Sequence, residues 1–450
     1  MKPLTMRTSF LRAAASQTLR YRLTTLLSFA NAWKAADLGI IILPLHGLCG
    51  LTPSEQRLVD HVKAGAKVFA SDLNAAVSID SRTENLAGVR TAGDYFGCLL
   101  ADLDFETRWI AMPPSIGRAG HLWAERKGHR GNRLLLIGHL DTVLPTTGFK
   151  MDGNRAIGSG VNDMKGGNLV IIHALRALRA IGALEDTQII VCFTGDEEAP
   201  GSDLTVARRD LMEAARRSDL ALVFEGGDGN LITTARRGIT FWDLEVQGPT
   251  GHSAGIFSEA AGSGAVFEAA RILHQFHDEL RGEDRLTFNP GVIVGGAAAQ
   301  LTESGGIADG KANIIAQRVL IRGDLRFLNP EQLARVKLRM REIIHKNLVR
   351  TSAEIRFDDR YPAMTETRGN MALFAQLDEV SRDLGYGPLE PCDPRLRGAG
   401  DASFVAPVIP TIDGLGVRGN GAHTRYEDID LDSVVEVIGR AAVLIHRLTQ

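Results

Sequence analysis

The sequence predicts an α/β protein, a mostly parallel sheet with a smaller α+β unit inserted into it. Three observations carry that prediction. Apolar runs such as Ile189-Ile190-Val191-Cys192-Phe193 read as strands covered on both faces, the kind found in parallel sheets. Such runs alternate with helical segments, and the rhythm changes near Gly238. The length of 450 residues exceeds one simple core, so two domains, or one with a large insertion, is the default.

The elements follow in order. "TPSEQRLVDHV" opens a helix with Thr52 as cap, Pro53 at the first position and Glu55 three residues after the cap, a capping-box arrangement. "LLLIGHLDTV" is a strand with a polar exit. The helix "GGNLVIIHALRALRAIG" places Leu169, Ile172, Leu175 and Leu178 on one face, and Gly182 ends it. A strand ending in "TGDEE", the helix "TVARRDLMEAARR" and the strand "LALVFEGG" complete a pattern that argues for a mostly parallel sheet. From Gly238, "ITFWDLEVQG" alternates as a half-exposed strand does, and "SGAVFEAARILHQFHDEL" is helical. Strand-like "GVIVGGAAA" and "ANIIAQRVLIRGDLRF" follow. Asn329-Pro330 then opens the helix "EQLARVKLRMREIIHKN", and "AEIRFDD" is a last strand. That order, β-α-β-β-α-β, is the ferredoxin-like signature. After Tyr361 the helices "MALFAQLDEVSRDLG" and "DLDSVVEVIGRAAVLIHRL" resume the α/β pattern. The expected division is an extension over 1–50, a main domain over 51–237 and 361–450, and an inserted domain over 238–360.

A net charge of -3 gives no electrostatic signature of a nucleic-acid partner. Cys49, Cys98, Cys192 and Cys392 lie far apart with no CxxC pair, which argues against a disulfide scaffold and a thiolate zinc site. Any metal would be held by histidines and carboxylates. The first fifty residues carry Lys2, Arg7, Arg12, Arg20, Arg22 and Lys34 against Asp37 alone. The apolar "LGIIILPLHGLCGL" after them is too short, and too interrupted by Pro44, to span a bilayer. This region reads as an export signal with an overlong basic stretch or as a disordered extension. The destination stays open between the cytoplasm and the periplasm or exterior.

Chemistry concentrates where predicted strands end. "GHLDTV" supplies His139 and Asp141, on one face of an extended segment. "GSGVNDMKGG" supplies Asp163 just before a helix, and "VFEGG" supplies Glu225. "TGDEE" supplies Asp196, Glu197 and Glu198, and "GNGAHTRYED" adds His423. Ligands in open α/β sheets collect at the carboxyl ends of strands. Taken singly these are common strings, and Asp163 alone would serve as a helix cap. His173, His274 and His277 lie on helix faces and read as structural. Together, two histidines and several acids exceed what one tetrahedral ion needs. They suit two divalent ions about 3.5–4 Å apart sharing one carboxylate, with one acid left unligated as base. On this reading a metal pair offsets the three adjacent acids, and Glu197 and Glu198 point in opposite directions.

Quoted in order, "SIDSRTEN", "GHLDTV", "GSGVNDMKGG", "TGDEEAPGS", "VFEGG", "GPTGHSAG", "ANIIAQRVLIRGDLRF" and "GNGAHT" resemble the M20 family of two-metal peptidases and amidohydrolases. The likeness runs from about Leu51 to the C-terminus and is greatest to bacterial glutamate carboxypeptidases of the folate-cleaving type. The resemblance implies that Asp163 bridges two ions, zinc first, with cobalt or manganese as alternatives. His139 and Glu225 would complete one site, Glu198 and His423 the other. Asp141 would support His139, and Glu197 would be the general base. The peptide after Asp163 would be cis. The inserted domain would be a lid and dimerisation domain, making a homodimer. His252 would stabilise the oxyanion, often from the partner subunit, and Asn313 and Arg326 would hold the substrate carboxylate. The implied activity is hydrolysis of an amide bond beside a free carboxylate, in a small peptide or an N-acyl amino acid. "VFEGGDGNLITTARRG" departs from the pattern: it lacks the lysine that close glutamate carboxypeptidases use for substrate, and offers Arg236 and Arg237 instead.

Overall fold

In the computed structural model, residues 50–450 are described, and the basic segment over residues 1–49 lies outside them. No helix among the described residues is long and apolar enough to cross a membrane. The chain enters through the helix Pro53–Val77. Thr52 Oγ1 accepts from the Glu55 backbone N–H at 3.2 Å, while Thr52 N–H donates to Glu55 Oε2 at 2.7 Å. The capping box read from the sequence is therefore formed.

The main sheet has six strands in the order Glu106–Ala111, Gly120–Arg126, Thr187–Thr194, Arg130–His139, Leu220–Val223 and Thr411–Ile412. The last four pair in parallel and the first two are antiparallel additions at one edge. Leu134, Leu136, Ile189, Val191 and Phe193 face one core, with the helices Pro53–Val77, Lys165–Ala180 and Val434–Leu448. Leu135, Ile137, Ile190 and Cys192 face another, with the helix Arg209–Arg216. Continuous apolar runs are what coverage on both faces requires. The helix Lys165–Ala180 is buried almost all round, because two neighbouring helices pack on the side away from the sheet. Its expected single apolar face therefore understates its burial.

Among the elements without a clear sequence signal are two strands and a helix. Glu106–Ala111 is an edge strand whose first half, Glu106-Thr107-Arg108, is polar and exposed. Gly120–Arg126 is buried, yet His121 and Glu125 interrupt its pattern. Both are satisfied by distant partners. His121 Nε2 donates to the Ala207 carbonyl at 2.8 Å, its Nδ1 accepts from Gly195 N–H at 3.1 Å, and Glu125 pairs with Arg217. Between those strands and the capping box lies the helix Leu86–Ala101.

The smaller unit is built on an antiparallel sheet ordered Thr287–Gly296, Arg318–Phe327, Gly238–Gln247 and Ser352–Tyr361. With the helices Gly264–Leu280 and Pro330–Ile344 it forms the ferredoxin-like arrangement, around a core that includes Trp242, Ile272, Phe276, Ile321 and Met340. Asn329 caps the second helix by accepting from Gln332 N–H at 2.8 Å. The segment read as one strand over 312–327 is two. Ile314–Ile315 leaves the sheet to pair with Gly251–His252, and Arg318–Phe327 enters it. A hairpin, Ala298–Leu301 with Gly306–Asp309, adds to the expected elements.

Candidate two-metal site

Parallel pairing brings the strand ends at His139, Thr194 and Val223 to one edge of the sheet, and the loops that follow them carry the acids. The helix beginning at Lys165 crosses close beneath. A Cβ on Gly167 would stand 1.9 Å from the Phe224 carbonyl oxygen, so only glycine allows this approach. The Asp163–Met164 peptide preceding that helix is cis, as the resemblance implied.

His139 is buried, and its Nδ1 lies 3.0 Å from the Asp141 main-chain oxygen. Donation there turns Nε2 toward Asp163 Oδ1 at 3.0 Å and Glu225 Oε1 at 3.8 Å. His423 Nε2 lies 3.0 Å from Asp163 Oδ2 and 3.1 Å from Glu198 Oε2. Two groups able to hold an ion result, one of His139, Asp163 and Glu225, the other of Asp163, Glu198 and His423. Asp163 belongs to both. His423 adopts a left-handed φ of 64°, uncommon for a residue other than glycine.

The charge balance calls for cations. Among the described residues no lysine or arginine lies within 4 Å of the carboxylates of Asp163, Glu197, Glu198 or Glu225. Burial pushes the Glu225 carboxyl up to about 8, with His139 pulling the other way. Burial first, and then the charge of Glu225, push Glu197 well above the usual carboxylate range. Hydrogen bonds donated to the Asp163 and Glu198 carboxylates raise His423 to about 10. Glu198 Oε1 is buried with no hydrogen-bond partner. Among the described residues the imidazoles are the only cationic groups in direct contact with these acids, with Arg236 and Arg208 acting from farther off, and bound divalent ions would invert that balance. The donor set, two imidazoles and three carboxylates with one shared, fits two such ions.

The supports come from elsewhere in the chain. The Asp141 carboxylate accepts from Glu197 and Glu198 N–H, each at 3.1 Å, and from Thr83 Oγ1 at 2.7 Å. Its oxygens thus fix the two glutamates, while its carbonyl serves His139. Glu427 was missed. It accepts from Gly160, Asn162 and Asp163 N–H at 2.8, 2.8 and 2.9 Å, which sets the turn carrying the shared acid. Its place four residues after His423 was the available signal. Asp196 departs from the expectation that a metal pair offsets all three acids. Its partner is the buried Arg208, 2.6 Å from Asp196 Oδ1 and 2.6 Å from Asp401 Oδ1. Arg208 stands twelve residues on in sequence, inside a helical stretch, and nothing local marked it.

His252, Asn313 and Arg326 stand apart. His252 and Asn313 are exposed on one short ribbon, joined by a hydrogen bond from Ser253 N–H to the Asn313 carbonyl at 2.9 Å. Arg326 lies beside Asp324, Nε to Oδ2 3.1 Å. No hydrogen bond or ion pair joins any of the three to the metal-competent groups. His173 pairs with Asp72, while His274 and His277 pair with Asp278, in keeping with structural roles.

Fold and site together define a metallohydrolase of the α/β class. Carboxypeptidase G2 of Pseudomonas sp. (strain RS-16) is 28% identical over 386 residues, which cover 83% of this chain and 87% of the relative. Succinyl-diaminopimelate desuccinylase of Paracoccus denitrificans is 29% identical over 333 residues, covering 69% of this chain and 81% of the relative. The solved structure of the Bacillus subtilis YXEP protein, described as a dinuclear metal binding peptidase from the M20 family, is similar in fold. It has a TM-score of 0.59 and 15% identity, over 86% of this chain and 99% of that one. Peptidase family M20/M25/M40 matches residues 135–447, and the chain belongs to that family.

Proposed function

We propose that the chain is a two-metal hydrolase cleaving an amide bond beside a free carboxylate, an exo-acting carboxypeptidase that releases a C-terminal amino acid such as glutamate. The observation that carries this is the sharing of Asp163 between two metal-competent groups, with Glu197 outside both and next to Glu198, which belongs to one. In this reading His139 and Glu225 hold one ion, Glu198 and His423 the other. Zinc is the first choice for both, with cobalt or manganese as alternatives. The bound ions would polarise the scissile carbonyl and make water acidic enough to attack near neutral pH. Glu197 takes a proton from the attacking water and delivers it to the leaving nitrogen. Asp141 holds the Glu197–Glu198 backbone and His139 in register, and Arg326 and Asn313 receive the substrate carboxylate. The similarity to carboxypeptidase G2 supports this choice.

A second reading, a deacylase of N-acyl amino acids or a dipeptidase, uses the same chemistry, and the similarity to a desuccinylase favours it. A catalytically silent metal-binding scaffold would be expected to lack the base or a ligand, and all six residues are present. The test is product analysis by mass spectrometry after zinc-loaded protein meets N-acyl amino acids, dipeptides and a pteroyl-glutamate. Free glutamate as the main product supports the carboxypeptidase. Cleavage of the other compounds moves the chain to the second reading. No cleavage with two metals bound leaves the scaffold.

The unit over 238–360 serves in this proposal as lid and dimerisation domain, and the divisions 51–237 and 361–450 form the catalytic domain. His252, exposed and unconnected to its own cluster, suits an oxyanion contact across a homodimer. Light scattering is expected to give twice the chain mass, and a monomeric mass would exclude the cross-subunit role.

A further inference from the structure

A cavity of about 430 Å³ opens between the ferredoxin-like unit and the loop before Asp401, lined by Arg237, Arg326, Arg395 and Arg397 with Asp324 as its one acid. Its size is that of a small-ligand site. Arg326 is held by Asp324, and Arg395 by Asp393, which does not line the cavity. Among the described residues no carboxylate lies within 4 Å of Arg237 or Arg397. Nε of Arg237, and Nε and Nη2 of Arg397, are buried with no hydrogen-bond partner. Burial, and then the charge of Arg326, lower the pKa of Arg237, so this group gains from an anion beside it.

The loop that lines the cavity runs on to the proposed base. Gly398 lines it, and the Gly398 carbonyl accepts from Arg236 Nη1 at 2.7 Å. Two residues on, a Cβ on Gly400 would stand 3.2 Å from Glu197 Oε1 and 3.7 Å from Arg236 Cζ. Arg236 itself is buried and committed to Asp413 at 2.6 Å. It therefore does not replace the lysine missing from its segment, whereas Arg237 faces the cavity.

We propose that Arg237, Arg395 and Arg397 form a second anion subsite beside Arg326, selecting substrates whose released amino acid carries a side-chain carboxylate as well as its α-carboxylate. The proposal rests on the hydrolytic reading above and names its substrate class. Guanidinium groups suit the task because their planar donors pair with a carboxylate in two-point fashion. Three sources of charge, from two distant segments, would replace one lysine.

The test compares kcat/KM for N-benzoyl-glutamate with that for N-benzoyl-glutamine, which has the same shape without the second charge. The wild type is expected to prefer the glutamate by at least about tenfold, and Arg397→Gln and Arg395→Gln to reduce that ratio toward one. A ratio near one in the wild type, or one that neither variant changes, overturns the subsite. Calorimetry separates this from the hydrolytic reading. Glutarate binding about tenfold tighter than butyrate, with the difference lost in Arg397→Gln, supports the subsite even where no amide is cleaved. Equal binding of the two overturns it. Thermal melting of each variant controls for folding.

Discussion

Glu197→Gln is expected to lower kcat by about 10²–10⁴-fold while both metal ions stay bound. The substitution keeps the shape and removes the proton acceptor. The backbone around it is fixed independently of the side chain: Glu197 N–H donates to Asp141 Oδ1 at 3.1 Å, and the Glu197 carbonyl accepts from Tyr361 Oη at 3.0 Å. Glu198 therefore keeps its position against His423. Metal content by inductively coupled plasma mass spectrometry, measured beside kcat, reads the two effects separately. Loss of metal together with activity would place Glu197 in the coordination shell instead.

The second large effect concerns the shared acid. Asp163→Ala removes an oxygen from both groups at once, Oδ1 facing His139 and Oδ2 facing His423. Bound metal is expected to fall from two ions per chain toward none. The loss of affinity should exceed the roughly 10–100-fold that removing an outer partner costs. Glu225→Ala and Glu198→Ala each touch one group, and each is expected to weaken one ion more than the other. If Asp163→Ala released a single ion and left the second at wild-type affinity, Asp163 would be a ligand of one site and not a bridge. The Glu427 bonds to Gly160, Asn162 and Asp163 hold the turn, so the variant is expected to fold.

The readable part of the chain was the part with local signals. Ile189–Phe193 announced a two-faced strand by its unbroken apolar run, and Thr52 and Glu55 announced a helix start by their spacing. Gly120–Arg126 escaped because His121 and Glu125 break its pattern, and their partners Ala207, Gly195 and Arg217 are dozens of residues away. A buried polar group reads as exposed in sequence until its partner is known. The single strand expected over 312–327 failed for a related reason. Its first part pairs with Gly251–His252 and does not continue the sheet.

The site divides in the same way. Donor types, their order and their placement at strand exits are legible along the chain, since both the α/β rhythm and the polar exits are local features. That is enough to exclude a thiolate site and to gather His139, Asp141, Asp163, Glu197, Glu198, Glu225 and His423 as one set. How their charges are shared follows from the folded arrangement. It places Asp163 between two imidazoles, gives Asp196 to Arg208, ties Asp141 to the backbone of two glutamates, and leaves Arg237 and Arg397 facing a cavity without acids of their own. Each of these pairings joins residues remote in sequence or choosing among several near partners. Electrostatic energy falls with distance in space and not along the chain, so only the folded geometry could rank them.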